Sequence, residues 1–306
     1  MTLRDRIKAN SQLYYGLLQW RRNRELKSFR ALDDCGRRAL VEKQYLASIG
    51  RPLRWDEPEA YTEKMQWEKL YHRDERKVRL ADKYLVRDWV RERIGEEYLI
   101  PLLGVWDRVE DIDFNALPQQ FVLKTNCGSG DVVIVKDKNA LSKKQIEAIR
   151  RKLHYYLHYD LSATSCEMHY AEIPPKIVAE AYINSEKGDL PDYKFICFDG
   201  KPYFCWVDMD RFTAHRRNIY DLDWNLQSWT QTYPAYEGLI EKPENLAEMT
   251  ALATKLSEGF AHVRVDLYSV RGRIYFGEMT FTSETGYGKI TPDEMDFALG
   301  KLWNIK

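Results

Sequence analysis

Hydrophobic and polar positions change rhythm once along this chain. Through residues 1 to about 96 apolar side chains recur at helical intervals, as at Val78, Ala81, Leu85 and Trp89, with few glycines and no proline before Pro52. That spacing predicts an all-helical lead-in. Pro101 and Gly104 close it, and from Phe121 onward short β-type runs take over. They are FVLK (121–124), VVIVK (132–136), KIVAEAYI (176–183), YKFICF (193–198), PYFCWV (202–207), HVRVDLY (262–268) and RIYFGEMTF (273–281). Helices are expected at 142–157 and 244–260, capped by Ser142 and Asn245, and at 292–304 behind Pro292. Asp199-Gly200 and Arg271-Gly272 read as hairpin connections, so most of the sheet is antiparallel. The pattern predicts an α+β protein in two lobes, without internal repeats.

Composition narrows the partners. Of the 306 residues 44% are hydrophobic, and 47 basic residues balance 47 acidic ones, so no global field favours nucleic acid. Five cysteines form no CxxC pair, as expected of reduced thiols in the cytoplasm. No run approaches the ~20 apolar residues of a membrane span. The first helix sets Arg4, Arg6, Lys8, Arg21, Arg22 and Arg24 beside Leu3, Leu13, Tyr14, Leu17 and Leu18, which suits weak contact with an anionic membrane surface or a solvated basic face.

Candidate chemistry concentrates at the C-terminal hairpin. Period-two alternation places Arg264, Asp266 and Tyr268 on one face of their strand, and Phe276, Glu278 and Thr280 on one face of the next. A turn near Gly272 sets Asp266 opposite Glu278, and opposed like charges are destabilising. A cation belongs between them. Mg²⁺ sharing phosphate oxygens fills that need, with Arg264 as an anion clamp. A plain surface ion pair is the alternative.

Upstream, FVLKTNCGSG ends an apolar strand in Lys124 and then runs through Gly128, Ser129 and Gly130, small residues that let backbone N–H groups approach a phosphate. Glu180, in the apolar strand KIVAEAYI, requires a donor: an adenine amino group, or a lysine in the core.

The order of these features, with ADKYLVRDWV, YLIPLLGVW, DYKFICFDGKP, and RVDLY followed by YFGEMTF, resembles the ATP-grasp superfamily and its TupA-like branch, named for teichuronopeptide biosynthesis. The resemblance runs from about Tyr61 to the C-terminus. It implies an ATP-grasp fold with ATP clasped between two α+β lobes: a helical region at 1–75, then 76–306, with a nucleotide lid at about 118–183 and a metal and acceptor lobe at about 184–306. Carried over, Lys83 meets phosphates from the preceding helix, with Arg87 as a second candidate. Lys124 contacts the α-phosphate region, and Gly128, Ser129 and Gly130 form a loop over the β- and γ-phosphates. Glu180 accepts from adenine, Ala181, Tyr182 and Ile183 form the hinge beside the base, and Asp192 lies near the ribose. Asp266, Glu278 and Thr280 hold Mg²⁺, although Thr280 stands where many relatives have asparagine.

The activity implied is ATP-dependent carboxylate–amine ligation through an acylphosphate, with Arg264 and Lys124 as catalytic cations. The branch's context implies a role in surface polysaccharide or teichuronopeptide biosynthesis. A glycosyltransferase and a nucleotide-binding protein without turnover are the competing readings. Arg216 and Arg217 are candidate substrate clamps or solvated surface arginines, TSETGYGK (282–289) should border the acceptor site, and Trp206, Tyr220 and Trp224 are candidates to stack on a sugar, with core packing the alternative for at least one of them. Cys127 is a tolerated small residue without a thiol role.

Overall fold

The computed structural model describes residues 11–128, 130–184, 190–210 and 214–305. The chain divides into two compact units, one comprising the residues up to Arg37, Asp82–Tyr84 and Ile100–Ile183, the other Arg38–Ala81, Leu85–Leu99 and Asn184–Lys306. Each is built around its own antiparallel sheet.

The first unit holds helix α1 (Ser11–Arg30), strands β1 (Leu102–Trp106), β2 (Phe121–Thr125), β3 (Val133–Val135) and β4 (Ile177–Ala181), and helices α6 (Lys143–Leu157) and α7 (Leu161–Ser165). The strand order is β1-β4-β2-β3. Alternation along β2 buries Phe121 and Leu123, which pack with Ile177, Ala179 and, from α6, Leu153 and Leu157. Lys124 and Glu180 therefore share the opposite face of the sheet. Helix α6 starts where expected because Ser142 and Gln145 cap each other, Ser142 Oγ accepting from the Gln145 N–H at 3.3 Å and Gln145 Oε1 from the Ser142 N–H at 2.9 Å. In α1, Arg22 is buried and donates to the Tyr155 carbonyl at 2.8 Å, so that side of the basic helix is packed.

The second unit contains α2 (Asp34–Ile49) from Arg38 onward, α3 (Tyr61–Tyr71), α4 (Glu75–Ala81), α5 (Val86–Arg93), α8 (Leu246–Ser257) and α9 (Asp293–Leu302). Its main sheet comprises β5 (Asp192–Phe198), β6 (Lys201–Met209), β7 (Arg216–Asp221), β9 (His262–Val270) and β10 (Arg273–Thr280), in the order β10-β9-β5-β6-β7. A small ribbon pairs β8 (Thr230–Gln231) with β11 (Ile290–Thr291). Helix α8 packs across β5, β6 and β9. On one face Ile196, Phe198, Trp206 and Ile219 meet Tyr61 and Met65 of α3 and Leu299 and Trp303 from the C-terminal segment.

Three local expectations are corrected. The periodic run 78–89 is interrupted at residues 82–85. Asn245 does not cap α8; its Oδ1 accepts from Ser269 Oγ at 3.0 Å instead. Phe276 does not share a face with Glu278, because a bulge at Gly277 pairs Phe276 with Leu267 but Glu278 with Asp266. One extra residue reverses the alternation, and Phe276 turns into the core.

Candidate functional site

The hairpin register is as expected: Asp266 stands opposite Glu278, and Arg264 opposite Thr280. The cation between the acids is the arginine itself. Arg264 Nε and Nη2 each lie 2.7 Å from an Asp266 oxygen, and Nη2 also reaches Glu278 Oε1 and Thr280 Oγ1 at 3.0 Å. It is no surface pair, since Arg264 and Asp266 are only 6% and 1% exposed. Burial lifts the Asp266 carboxyl above its ordinary range despite Arg264 and Lys194, and the acids around Arg264 hold its guanidinium charged against its own burial.

The hairpin is one end of a longer row. On β5, directly opposite Asp266, Lys194 places its ammonium 2.5 Å from Asp266 and 2.6 Å from Asp192, with Asp208 of β6 at 3.9 Å. Asp208 in turn is held by Arg217 of β7 at 2.5 and 2.9 Å, and Arg217 reaches Glu284 at 3.2 Å. Although burial raises it, Arg217 and His215 hold the Asp208 carboxyl well below the usual range. Alternating charges thus cross all five strands. With every carboxylate ionised, Asp192, Asp208, Asp266, Glu278 and Glu284 exceed Lys194, Arg217 and Arg264 by two charges.

Arg217 is buried and committed to Asp208, so it is neither a solvated arginine nor an open clamp. Trp206 is a core residue, and Tyr220 stacks on Trp224 at 4.3 Å between centroids. The predicted acceptor border is tied to α3 by Gln66, which donates to the Gly286 carbonyl at 2.7 Å, and by Lys69, which donates to Thr285 at 2.8 Å. Glu284 and Thr285 adopt left-handed backbone angles there. Arg87 lies in α5 and is buried.

In the first unit, Lys124 and Glu180 are partners at 2.5 Å, which identifies the donor that a glutamate in an apolar strand requires. Lys83 is not on a helix. Asp82 Oδ1 accepts from the Tyr84 N–H at 2.7 Å and forms a turn, from which Lys83 Nζ reaches the Gly128 carbonyl at 2.7 Å. Gly128 and Gly130 both have positive φ, a requirement only glycine meets without strain. Ser129 lies outside the described residues. Ala181 ends β4, and its N–H donates to Pro101 at 3.0 Å; Tyr182 and Ile183 follow the strand.

Two groups of residues here escaped the sequence reading. Asn126, fully buried, donates to Asp82 at 2.8 Å and to the Pro174 carbonyl at 2.9 Å and accepts from the Lys176 N–H at 2.7 Å, while its own carbonyl accepts from the Lys83 N–H at 2.9 Å. It ties the Lys83 turn to both strands. Asp131 Oδ2 accepts from Thr125 Oγ1 at 2.7 Å and closes the loop from the other side. In the second unit the missed residues are Lys194 and Asp208. Cys127 has its thiol pushed up to about 11, chiefly by burial, which leaves no thiolate at neutral pH.

The residues present fit a divalent cation. Asp266 and Glu278 stand opposite each other at the end of a row of five carboxylates and three cations; both Asp266 oxygens are held by Arg264 and Lys194, so Glu278, 35% exposed, is the carboxylate turned toward a ligand. Among the described residues no three His, Cys, Asp or Glu are grouped to hold a metal alone. Such a pair instead suits Mg²⁺ that draws its remaining ligands from phosphate.

Among solved structures, the D-alanine-D-alanine ligase from Bacillus anthracis complexed with ATP is similar at 20% identity, covering 66% of this chain and 54% of that one, with a TM-score of 0.37. The Helicobacter pylori D-alanine-D-alanine ligase is 10% identical over 81% of this chain and 68% of that one, TM-score 0.42. D-Cycloserine synthetase is 17% identical over 73% and 69%, TM-score 0.39. The chain spans just over half the length of the B. anthracis structures it matches, 54% and 57%. No curated protein matches. The family model described as TupA-like ATPgrasp matches residues 63–304, most of the chain and every described residue of both candidate clusters, and the chain belongs to that family.

Proposed function

We propose that the protein is an ATP-dependent carboxylate–amine ligase. The observation that carries this reading is the buried row in which Lys194 and Arg264 are held among acids and lead to the more open Glu278. Asp266 and Glu278, with Thr280 as a weaker third ligand, would hold Mg²⁺, which when bound neutralises phosphate oxygens.

Arg264 and Lys194 would offset charge on the transferring phosphoryl group, their positions fixed before the reaction by the surrounding carboxylates. Lys124 and Lys83, with the backbone of Gly128 and Gly130, would meet the other phosphates, and Arg87 is the further phosphate candidate. Glu180 would exchange its Lys124 partner for the adenine amino group, beside a hinge of Ala181, Tyr182 and Ile183, and Asp192 would face the ribose. Chemically, a carboxylate oxygen takes the γ-phosphoryl group as ADP leaves. The amine then adds to the acyl carbon, phosphate departs, and an amide remains. No nucleophilic side chain is required; the protein positions and neutralises.

A cytoplasmic role in surface polysaccharide biosynthesis, joining an amino acid or amino sugar to a glycan-linked carboxylate, belongs to the same proposal. So does weak contact of α1 with an anionic membrane surface, supported by exposed Leu17 and Trp20 beside Arg21 and Arg24. Among the described residues no helix is long and apolar enough to cross a membrane.

The test is a screen of amines against uronate-bearing sugars for Mg²⁺-dependent ADP release, with product masses. Glu278→Gln is the cleanest control, since Asp266→Asn would strand Lys194 and Arg264 in the core. Full activity in Glu278→Gln would remove the metal assignment. Turnover of a sugar nucleotide without ADP would replace the ligase with a glycosyltransferase.

A further inference from the structure

The second unit carries a cavity of about 370 Å³ to which no residue of the candidate site contributes. It opens where β5 ends and β9 begins, at Asp199 and His262. At ~3.3 Å per residue, His262 lies about 13 Å along its strand from Asp266. Tyr61, fully buried, hydrogen-bonds His262 Nε2 at 3.1 Å and lies edge-on to its ring, and no residue of the charge row lines the cavity.

Its walls combine aromatic rings with polar groups already fixed in place. Trp67, Phe260 and Trp303 line it. The Arg76 guanidinium lies over the Phe260 ring at 4.3 Å while it bonds Asp74 at 2.7 Å and the Gly259 carbonyl at 3.1 Å. Lys77, 4% exposed, pairs with Glu68, and His72 Nδ1 meets the same Glu68 oxygen at 2.7 Å. A buried ion pair is a costly way to line a void, since an apolar pair of similar volume would be at least as stable. Imidazoles aside, the lining residues hold two cations, Arg76 and Lys77, against three carboxylates, Glu68, Asp74 and Asp199.

We propose that this cavity is a second binding site, for the ring of a neutral sugar. Its volume lies within the range of small-molecule sites. Phe260 and Trp303 are buried in the wall, so the half-buried Trp67 is the ring that can accept the C–H face of a pyranose, and the pre-oriented carboxylates and cations bond its hydroxyls. The lining carries one more carboxylate than cations, which disfavours phosphorylated ligands relative to neutral ones. The inference stands apart from the ligase reading and holds or fails without it.

Saturation-transfer NMR on the full chain tests it, with methyl β-glucoside, methyl β-galactoside and methyl N-acetyl-β-glucosaminide as neutral probes and glucose 6-phosphate as the anionic one. At least one neutral glycoside should receive saturation at its ring C–H protons, with or without ATP and Mg²⁺, and glucose 6-phosphate should receive less. Trp67→Ala should weaken binding roughly tenfold or more, a loss of ~1.4 kcal/mol, and Trp67→Phe should retain it. Asp199→Asn, which keeps a residue tolerant of the left-handed φ of 46° there, provides a second variant that should also weaken binding. Silence from every neutral glycoside, displacement by ATP, equal binding of glucose 6-phosphate, or full affinity in both Trp67→Ala and Asp199→Asn would each overturn the proposal.

Discussion

Replacing Lys194 with methionine removes the cation at the centre of the charge row and keeps most of the side chain's volume. Lys194 is 2% exposed, and its ammonium is the group between Asp192 and Asp266 at 2.6 and 2.5 Å. Its loss leaves those two carboxylates facing each other in the core, with Asp208 beside them. Arg264 is already shared among Asp266, Glu278 and Thr280 and cannot reach across β5 to compensate. Breaking a buried pair in this way costs about 3–5 kcal/mol. Urea denaturation followed by tryptophan fluorescence should show a midpoint lowered accordingly at pH 7. Adding Asp192→Asn to Lys194→Met should recover part of the loss, because one of the opposed charges is removed with its partner. If the single variant unfolds within about 1 kcal/mol of the wild type, the ordinary worth of an exposed pair, then Lys194 is not the group that makes the row stable.

Stability should also fall in mild acid because of His262. Burial lowers its pKa from 6.5 to about 3, so between those values the unfolded chain binds a proton that the folded protein does not. Stability is complete above 6.5 and declines as pH drops, by up to ~1.4 kcal/mol per unit; urea midpoints at pH 7, 6, 5 and 4 should show the slope, and His262→Phe should flatten it. Asn126→Ala removes the tie between the Lys83 turn and β4, and calorimetry should show ATP affinity weakened by roughly tenfold or more; unchanged affinity would dissociate Lys83 from the nucleotide. Thr280→Val deletes the 3.0 Å hydrogen bond from Arg264 and the 3.2 Å one to Glu278 and should cost about 1–2 kcal/mol of stability, with less than about tenfold loss of ADP release. A loss as large as that of Glu278→Gln would make the hydroxyl an essential ligand.

The parts of the site that were readable in the sequence are those that short-range geometry determines. A turn at Gly272 brings Asp266 and Glu278 together because only a few residues separate the two strands, and the bulge at Gly277 sets them directly opposite. The bulge that turns Phe276 inward also had a local sign, the glycine at 277 inside a strand. Asp82 carried the corresponding sign for the turn at Lys83, since a short acid capping the N–H two residues on competes with a continuous helix. Lys194 is a different case. Like Glu180, it is a charge set within an apolar strand, and both demanded partners on the same physical ground. For Glu180 the partner sits on the adjacent β2, and a core lysine was among the options the sequence allowed. For Lys194 one partner, Asp192, stands two residues earlier on the same face of β5, while the other, Asp266, comes 72 residues later and is adjacent only because β9 inserts between β5 and β10. Asp208 and Arg217 come into line from the other side through consecutive strands, β6 beside β5 and β7 beside β6. A charge in an apolar strand therefore states that a partner exists, and strand order decides which residue it is; of the four pairings that build the row across the second sheet, three join consecutive strands and only β5 with β9 is long-range.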